Sequence, residues 1–183
     1  VGSKVIMAMT LITTNTSSNA ASSSFTSSID STYKLYIFKY FDINPATDET
    51  RFNFQVNASS QSGYNETITS TTFKATHDEA DSTTALTYDI HTDQAQGTAF
   101  QNLLGDVGNG ADECCAGTLW LFNPSNTTYV KHFYGTSSTY TSDNTNRATY
   151  VSGYINVTAA ITNVQFAMTS GNFDGTIKMY GVG

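Results

Sequence analysis

The stretch Gly117–Gly135, GTLWLFNPSNTTYVKHFYG, constrains the fold more than any other part of the chain. Leu119 and Leu121 alternate with Trp120 and Phe122, so large side chains stand on both sides of one extended segment and both faces are expected to be covered. Asn123-Pro124-Ser125-Asn126 is turn chemistry: proline presets φ, and asparagine and serine bond to their own backbone. The chain returns through Tyr129, Val130, His132 and Phe133. This segment reads as the central hairpin of an all-β domain.

The same period of two recurs along the chain. In Tyr33–Ile43, Leu35, Ile37, Lys39 and Phe41 share one side and Tyr36, Phe38 and Tyr40 the other. Aromatics on both sides predict a strand covered twice, or one whose second face meets another subunit. Arg51–Ala58 alternates cleanly, with Phe52, Phe54 and Val56 predicted inward and Asn53, Gln55 and Asn57 outward. Thr67–Ala75, Leu86–Ile90, Tyr150–Thr158, Val164–Met168 and Thr176–Val182 complete the set. The spacing of Phe100, Leu103 and Leu104 after a capping Asp93 predicts one short helix over Asp93–Leu104. Thr136–Arg147 is predicted as a long polar loop. At the N-terminus, Val5–Leu11 reads as a strand or extended arm, and Asn15–Ser24 as a Ser/Thr-rich linker. The whole predicts an all-β chain, a jelly-roll-like antiparallel β-sandwich of about eight strands spanning residues 25–183, preceded by an arm and linker over residues 1–24.

Bulk chemistry narrows the functional classes. The 183 residues suit one sandwich domain, and the net charge of −7 opposes phosphate binding, so nucleic acid is not an expected partner. Only 13% of residues are charged, about half the usual fraction. Serine, threonine and asparagine supply the polarity instead, a surface common on secreted and virion proteins. No run is long and apolar enough to span a membrane. The two cysteines, Cys114 and Cys115, are adjacent and cannot form an ordinary intramolecular staple; they read as a small buried pair or as a bridge to another subunit.

Reaction chemistry is weakly represented. Asp89, His91 and Asp93 would share one face of a strand, and Asp106–Glu113 has the oxygens and glycines of a calcium loop without its regular register. Both read more simply as solvated polar segments, and no catalytic, cofactor or metal residue is assigned. His77, His91 and His132 lack a nucleophile motif nearby. Asn-x-Ser/Thr triplets at Asn15, Asn57, Asn65, Asn126 and Asn156 follow from composition. Tyr64 and Tyr140, each set among polar neighbours, are the candidate ligand-facing aromatics for stacking on a sugar. Val5, Ile6, Met7, Met9 and Leu11 are the candidate assembly contacts, able to complete a neighbour's sheet.

Five blocks, FTSSIDSTY (Phe25–Tyr33), INPATD (Ile43–Asp48), TDQAQGTAFQNLLGDVGN (Thr92–Asn109), Gly117–Phe133 and MTSGNFDGTIKMYGV (Met168–Val182), together resemble small virion structural proteins of tailed phages of marine and other aquatic bacteria. The resemblance implies a jelly-roll protein of the particle surface or tail, acting by self-assembly as a trimer or higher homo-oligomer with other virion proteins. Val1–Met9 and the Cys114-Cys115 pair depart from that pattern. The alternatives are a module that binds host surface glycan and an extracellular filament subunit joined by exchange of the N-terminal strand.

Overall fold

A computed structural model describes residues 8–59 and 61–183. Twelve strands form: β1 (Met9–Ala20), β2 (Ser22–Phe25), β3 (Leu35–Pro45), β4 (Phe52–Ala58), β5 (Ile68–Asp78), β6 (Thr84–Tyr88), β7 (Gln101–Asn102), β8 (Cys115–Phe122), β9 (Lys131–Tyr140), β10 (Thr145–Ile155), β11 (Ile161–Met168) and β12 (Phe173–Val182). No helix is present among the described residues. An eight-stranded sheet, in the order β1-β12-β3-β8-β9-β10-β5-β6, packs on a four-stranded sheet, β2-β11-β4-β7. Every pairing is antiparallel, and the crossovers between sheets make a jelly-roll-like β-sandwich.

The core lies where the alternation placed it. Tyr36, Phe38 and Tyr40 of β3 face Phe52, Phe54 and Val56 of β4, all fully buried. Val164, Phe166 and Met168 of β11 and Ile177 and Met179 of β12 join them. A bulge after Tyr40, with Asp42 at φ 52°, shifts the alternation of β3 by one residue and turns Ile43 inward. On the adjoining strand Gly175 adopts φ 139°, and a Cβ there would lie 2.6 Å from Ile43 Cδ1, so only glycine fits beside this bulge.

Central to the large sheet, β8 and β9 pair as the sequence led us to expect, with Leu119 opposite Gly135 and Trp120 opposite Tyr134. The covered-twice expectation holds on one side only. Leu119 and Leu121 are buried, whereas Phe122 is exposed.

Four further expectations are corrected. Asn15–Ser24 is strand rather than linker, because β1 pairs along β12 and β2 along β11. Its threonines and serines have adequate extended propensity once a partner ladder is available. Asp93–Leu104 is not a helix; its last residues pair with β4 as β7, with Asn53 opposite Asn102. Thr136–Arg147 is a continuation of the β9–β10 hairpin around a tight turn at Thr141–Asn144, where Asn144 takes φ 54°. Finally, Asn53 and Gln55 of β4 are buried rather than outward, since the excursion between β6 and β8 lies over them. Gln55 Nε2 donates to the carbonyls of Glu66 (2.9 Å) and Ala99 (3.0 Å), tying that excursion to the sandwich.

Candidate functional surface

The outer face of the eight-stranded sheet is the least ordinary feature of the molecule. Register fixes which side chains share it. Leu11, Tyr180, Ile37, Trp120 and Tyr134 form one transverse row, from β1 across β12, β3 and β8 to β9. A parallel row runs from Lys178 and Lys39 through Thr118 and Thr136 to Tyr150, Phe73 and Tyr88. The Trp120 and Tyr134 rings pack at 5.3 Å with their planes tilted by 31°, and Phe73 lies flat on Tyr150 at 5.0 Å with 9° between their planes. Phe41, Phe73, Phe122 and Tyr134 are 37–46% exposed. Several half-exposed rings on one sheet face exceed the single, scattered apolar residues ordinary on the surface of a monomer.

Charge on this face is sparse. Lys178 Nζ sits 5.8 Å above the Phe41 ring, close enough for a cation–π attraction, and Lys39 stands beside it. Between Phe41 and Tyr150 the sheet carries only small residues, Ala116, Thr118, Thr136, Ser138 and Ala148, leaving an open trough of about 450 Å³. Gly117 on its floor is required, because Tyr40 from the core crosses beneath it; a Cβ would lie 2.6 Å from Tyr40 Cζ.

The inner face of the same sheet changes character toward its β5–β6 edge. Thr72, Ser137, Thr139 and Thr149 are buried there, and the excursion following β6 closes over them. It is held by ion pairs: Asp89 with Lys74 at 3.0 Å, and Asp106 with Arg51 at 2.9 Å and with Arg147 at 3.5 Å. Desolvation opposes the charge on Asp89, yet the Lys74 ammonium and the His91 N–H outweigh it and hold its carboxyl below the usual range. These pairs fasten a loop across the end of the sandwich.

The acidic residues of the two segments do not converge on a common site. Asp89 is buried against Lys74, while Asp93 accepts from the Tyr88 hydroxyl at 2.6 Å and His91 is exposed on a turn. The register that would align them ends with β6. In the glycine-rich segment, the Glu113 carboxylate accepts from Gly110 N–H at 2.5 Å and Asp106 is engaged by arginines. Among the described residues no group of three His, Cys, Asp or Glu side chains is arranged to hold a metal. His77 meets Asp81 at 3.2 Å, and His132 packs edge-on against Tyr154. Cys115 is buried, and Cys114, half-buried, is a free thiol like its neighbour.

Tyr64 is half-buried near Phe100, and Tyr140 ends β9 with its hydroxyl donating to Asn144 Oδ1 at 3.1 Å. Tyr140 lines a shallow cleft with His77, Asp78, Glu79 and Asn146, to which Tyr64 does not contribute. Of the candidate assembly residues, Val5, Ile6 and Met7 lie outside the described residues. Met9 and Leu11 belong to β1, half-exposed and paired with Val182 and Tyr180 of their own chain. The aromatic face was foreshadowed by the double-sided patterns of Tyr33–Ile43 and of Leu119–Phe122; Phe73, Tyr134 and Tyr150 join it through register that no local pattern specifies.

Asp78 closes the turn between β5 and β6. Its carboxylate accepts from the Ser82 hydroxyl and from the N–H groups of Ser82 (2.8 Å) and Thr83 (2.9 Å), which lowers its pKa from 3.8 to about 2. A carboxyl depressed in the folded state stabilises the turn above its unfolded value, and that contribution is lost as pH falls through the folded value. An NMR titration is therefore expected to place the Asp78 midpoint near 2, with β6 amides losing exchange protection in the same range. A midpoint near 3.8 shows that the turn is not held this way.

No family model matches the chain, and neither curated proteins nor solved structures offer a match to set beside this surface.

Proposed function

We propose that the protein is a structural subunit that works by self-assembly, in the setting its sequence resemblance implies: the capsid surface or tail of a tailed-phage virion. The observation that carries this reading is the aromatic outer face of the large sheet, which gains free energy only when another surface covers it. Each half-exposed ring or leucine on it offers about 1 kcal/mol on burial. Serine-, threonine- and asparagine-rich edges keep the remainder in water.

The test is the solution mass of the purified full chain by light scattering, with negative-stain images of the same sample. An assembly larger than the 19.8 kDa chain is expected. Replacing both Phe122→Lys and Tyr134→Lys, at exposed positions of the outer face, is expected to lower that mass while leaving the circular dichroism spectrum unchanged. A wild-type monomer overturns the proposal.

A second reading is supported by one feature, the trough between Phe41 and Tyr150, where two aromatic rings border threonine and serine side chains. That arrangement suits a sugar, which stacks on an aromatic face and bonds to hydroxyls. A wild-type monomer retained on a bacterial polysaccharide matrix moves glycan binding to first place.

A further inference from the structure

A β-sandwich has four sheet edges, and each exposes backbone donors and acceptors that invite pairing unless they are blocked. Three of the four are blocked here. β1 is interrupted by register shifts after Leu11 and Ser17, with Asn19 at φ 48°, so its outer edge twists away from a straight ladder. β2 is only four residues long, and Asn15 Nδ2 caps its open side by donating to Ser24 O at 3.0 Å and Ser23 Oγ at 3.2 Å. β7 has two residues. β6 differs from them all: Thr84–Tyr88 has no proline, no charge and no bulge, and all five residues are exposed.

The hydrogen bonds of β5 with β6 show which groups are free. Asp89 N–H donates to Thr72 O at 2.9 Å, and Asp78 N–H donates to Thr83 O at 3.2 Å. In an antiparallel ladder alternate residues turn both backbone groups to the same neighbour. Ala85 and Thr87 therefore face β5, and Thr84, Leu86 and Tyr88 turn their N–H and C=O groups to the open edge.

We propose that β6 is a homodimer edge, pairing antiparallel with β6 of a second copy about a two-fold axis through Leu86. This register places Leu86 opposite the second copy's Leu86 and Thr84 opposite its Tyr88, so every outward backbone group finds a partner. A shift of two residues in either direction strands one residue of each copy. A second copy fits better than a foreign strand because the match is complete in itself, and an uncharged strand brings no like charges together across the axis. Leu86 and Tyr88, 73% and 54% exposed, lie opposite Ala75 and Phe73. Their side chains thus join the outer aromatic face, and the dimer fuses two eight-stranded sheets into one, with both outer faces on the same side. The inference rests on the assembly reading and adds to it a particular edge.

The experiment is sedimentation of the full chain and of variants at Leu86. Wild type is expected to contain the β6 pair, at twice the single-chain mass or a multiple of it. Leu86→Lys alone and Leu86→Glu alone are each expected to halve that mass, because like charges meet on the axis. Mixing the two variants is expected to restore it, since lysine then faces glutamate. Circular dichroism controls for folding, and the exposure of Leu86 makes loss of fold unexpected. A monomeric wild type, or a Leu86→Lys protein that keeps the wild-type mass, overturns the edge. If Leu86→Lys keeps that mass while Phe122→Lys/Tyr134→Lys lowers it, the edge fails and the outer-face assembly stands; the reverse pattern retains the edge and removes the outer face.

Discussion

Replacing Phe166 by alanine is expected to destabilise the fold by about 3–5 kcal/mol, the range for emptying a fully buried aromatic site. Phe166 is the ring on which the two sheets converge. It stacks on Phe52 at 5.6 Å, lies 5.5 Å from Phe38 and 6.1 Å from Phe25, and approaches Phe54 at 6.4 Å. Phe38 comes from the large sheet and the others from the small one, so the cavity would open between layers. None of these neighbours can fill it without leaving its own packing site, because every one is buried among others. The aromatic pairs add about 0.5–1.5 kcal/mol beyond area burial, which places the loss toward the upper end. At about 2–4 °C per kcal/mol for a domain of this length, the melting temperature is expected to fall by roughly 10–15 °C. Urea unfolding of wild type, Phe166→Ala and Phe166→Leu checks this. The leucine variant should recover most of the loss, and an alanine variant within 1 kcal/mol of wild type shows that the sheets do not depend on this ring.

Lys131→Met is the second large expected effect, about 2–3 kcal/mol from three carbonyls losing a charged donor. Lys131 opens β9 and is fully buried, and its ammonium donates to the carbonyls of Tyr129 (2.8 Å), Val157 (3.1 Å) and Thr158 (3.2 Å). Among the described residues no carboxylate lies within ion-pair reach of it. Burial pushes its pKa down, which registers the cost of keeping a charge there. What offsets that cost is geometry. The ammonium gathers the loop leaving β8 and the segment leaving β10 into one corner, and neither has ladder partners of its own at those carbonyls. Methionine fills the same volume and removes the desolvation cost, but it leaves the carbonyls unpaired. Chemical denaturation, with hydrogen exchange at Ile155–Thr158, separates the terms. A methionine variant as stable as wild type means that the desolvation relieved equals the bonds lost. Because Tyr129 and Val130 border the outer face, loosening this corner is also expected to weaken the proposed assembly.

Both effects bear on how much of the molecule could be read from its sequence. Lys131 shows one limit. Its place between Val130 and His132 looks like an ordinary solvated lysine, and only the approach of Val157 and Thr158 from another part of the chain buries it. Gln55 is a similar case: a polar residue at an outward position of β4, buried by a loop whose course the local pattern does not encode. In Thr136–Arg147 the polar composition concealed a hairpin, since threonine and serine satisfy a ladder as well as they satisfy water.

Alternation with period two was sufficient by itself to determine that the chain is all-β, that Phe52, Phe54 and Val56 face one way, and that Val164, Phe166 and Met168 share a core face. Those are local properties, because successive side chains of an extended segment must point to opposite sides. The tertiary structure alone decided strand order, the burial of Gln55 and Lys131, the bare aromatic face and the open edge at β6. Each of these depends on what lies across from a residue, and residues far apart in sequence become neighbours only once the sheets have paired and packed.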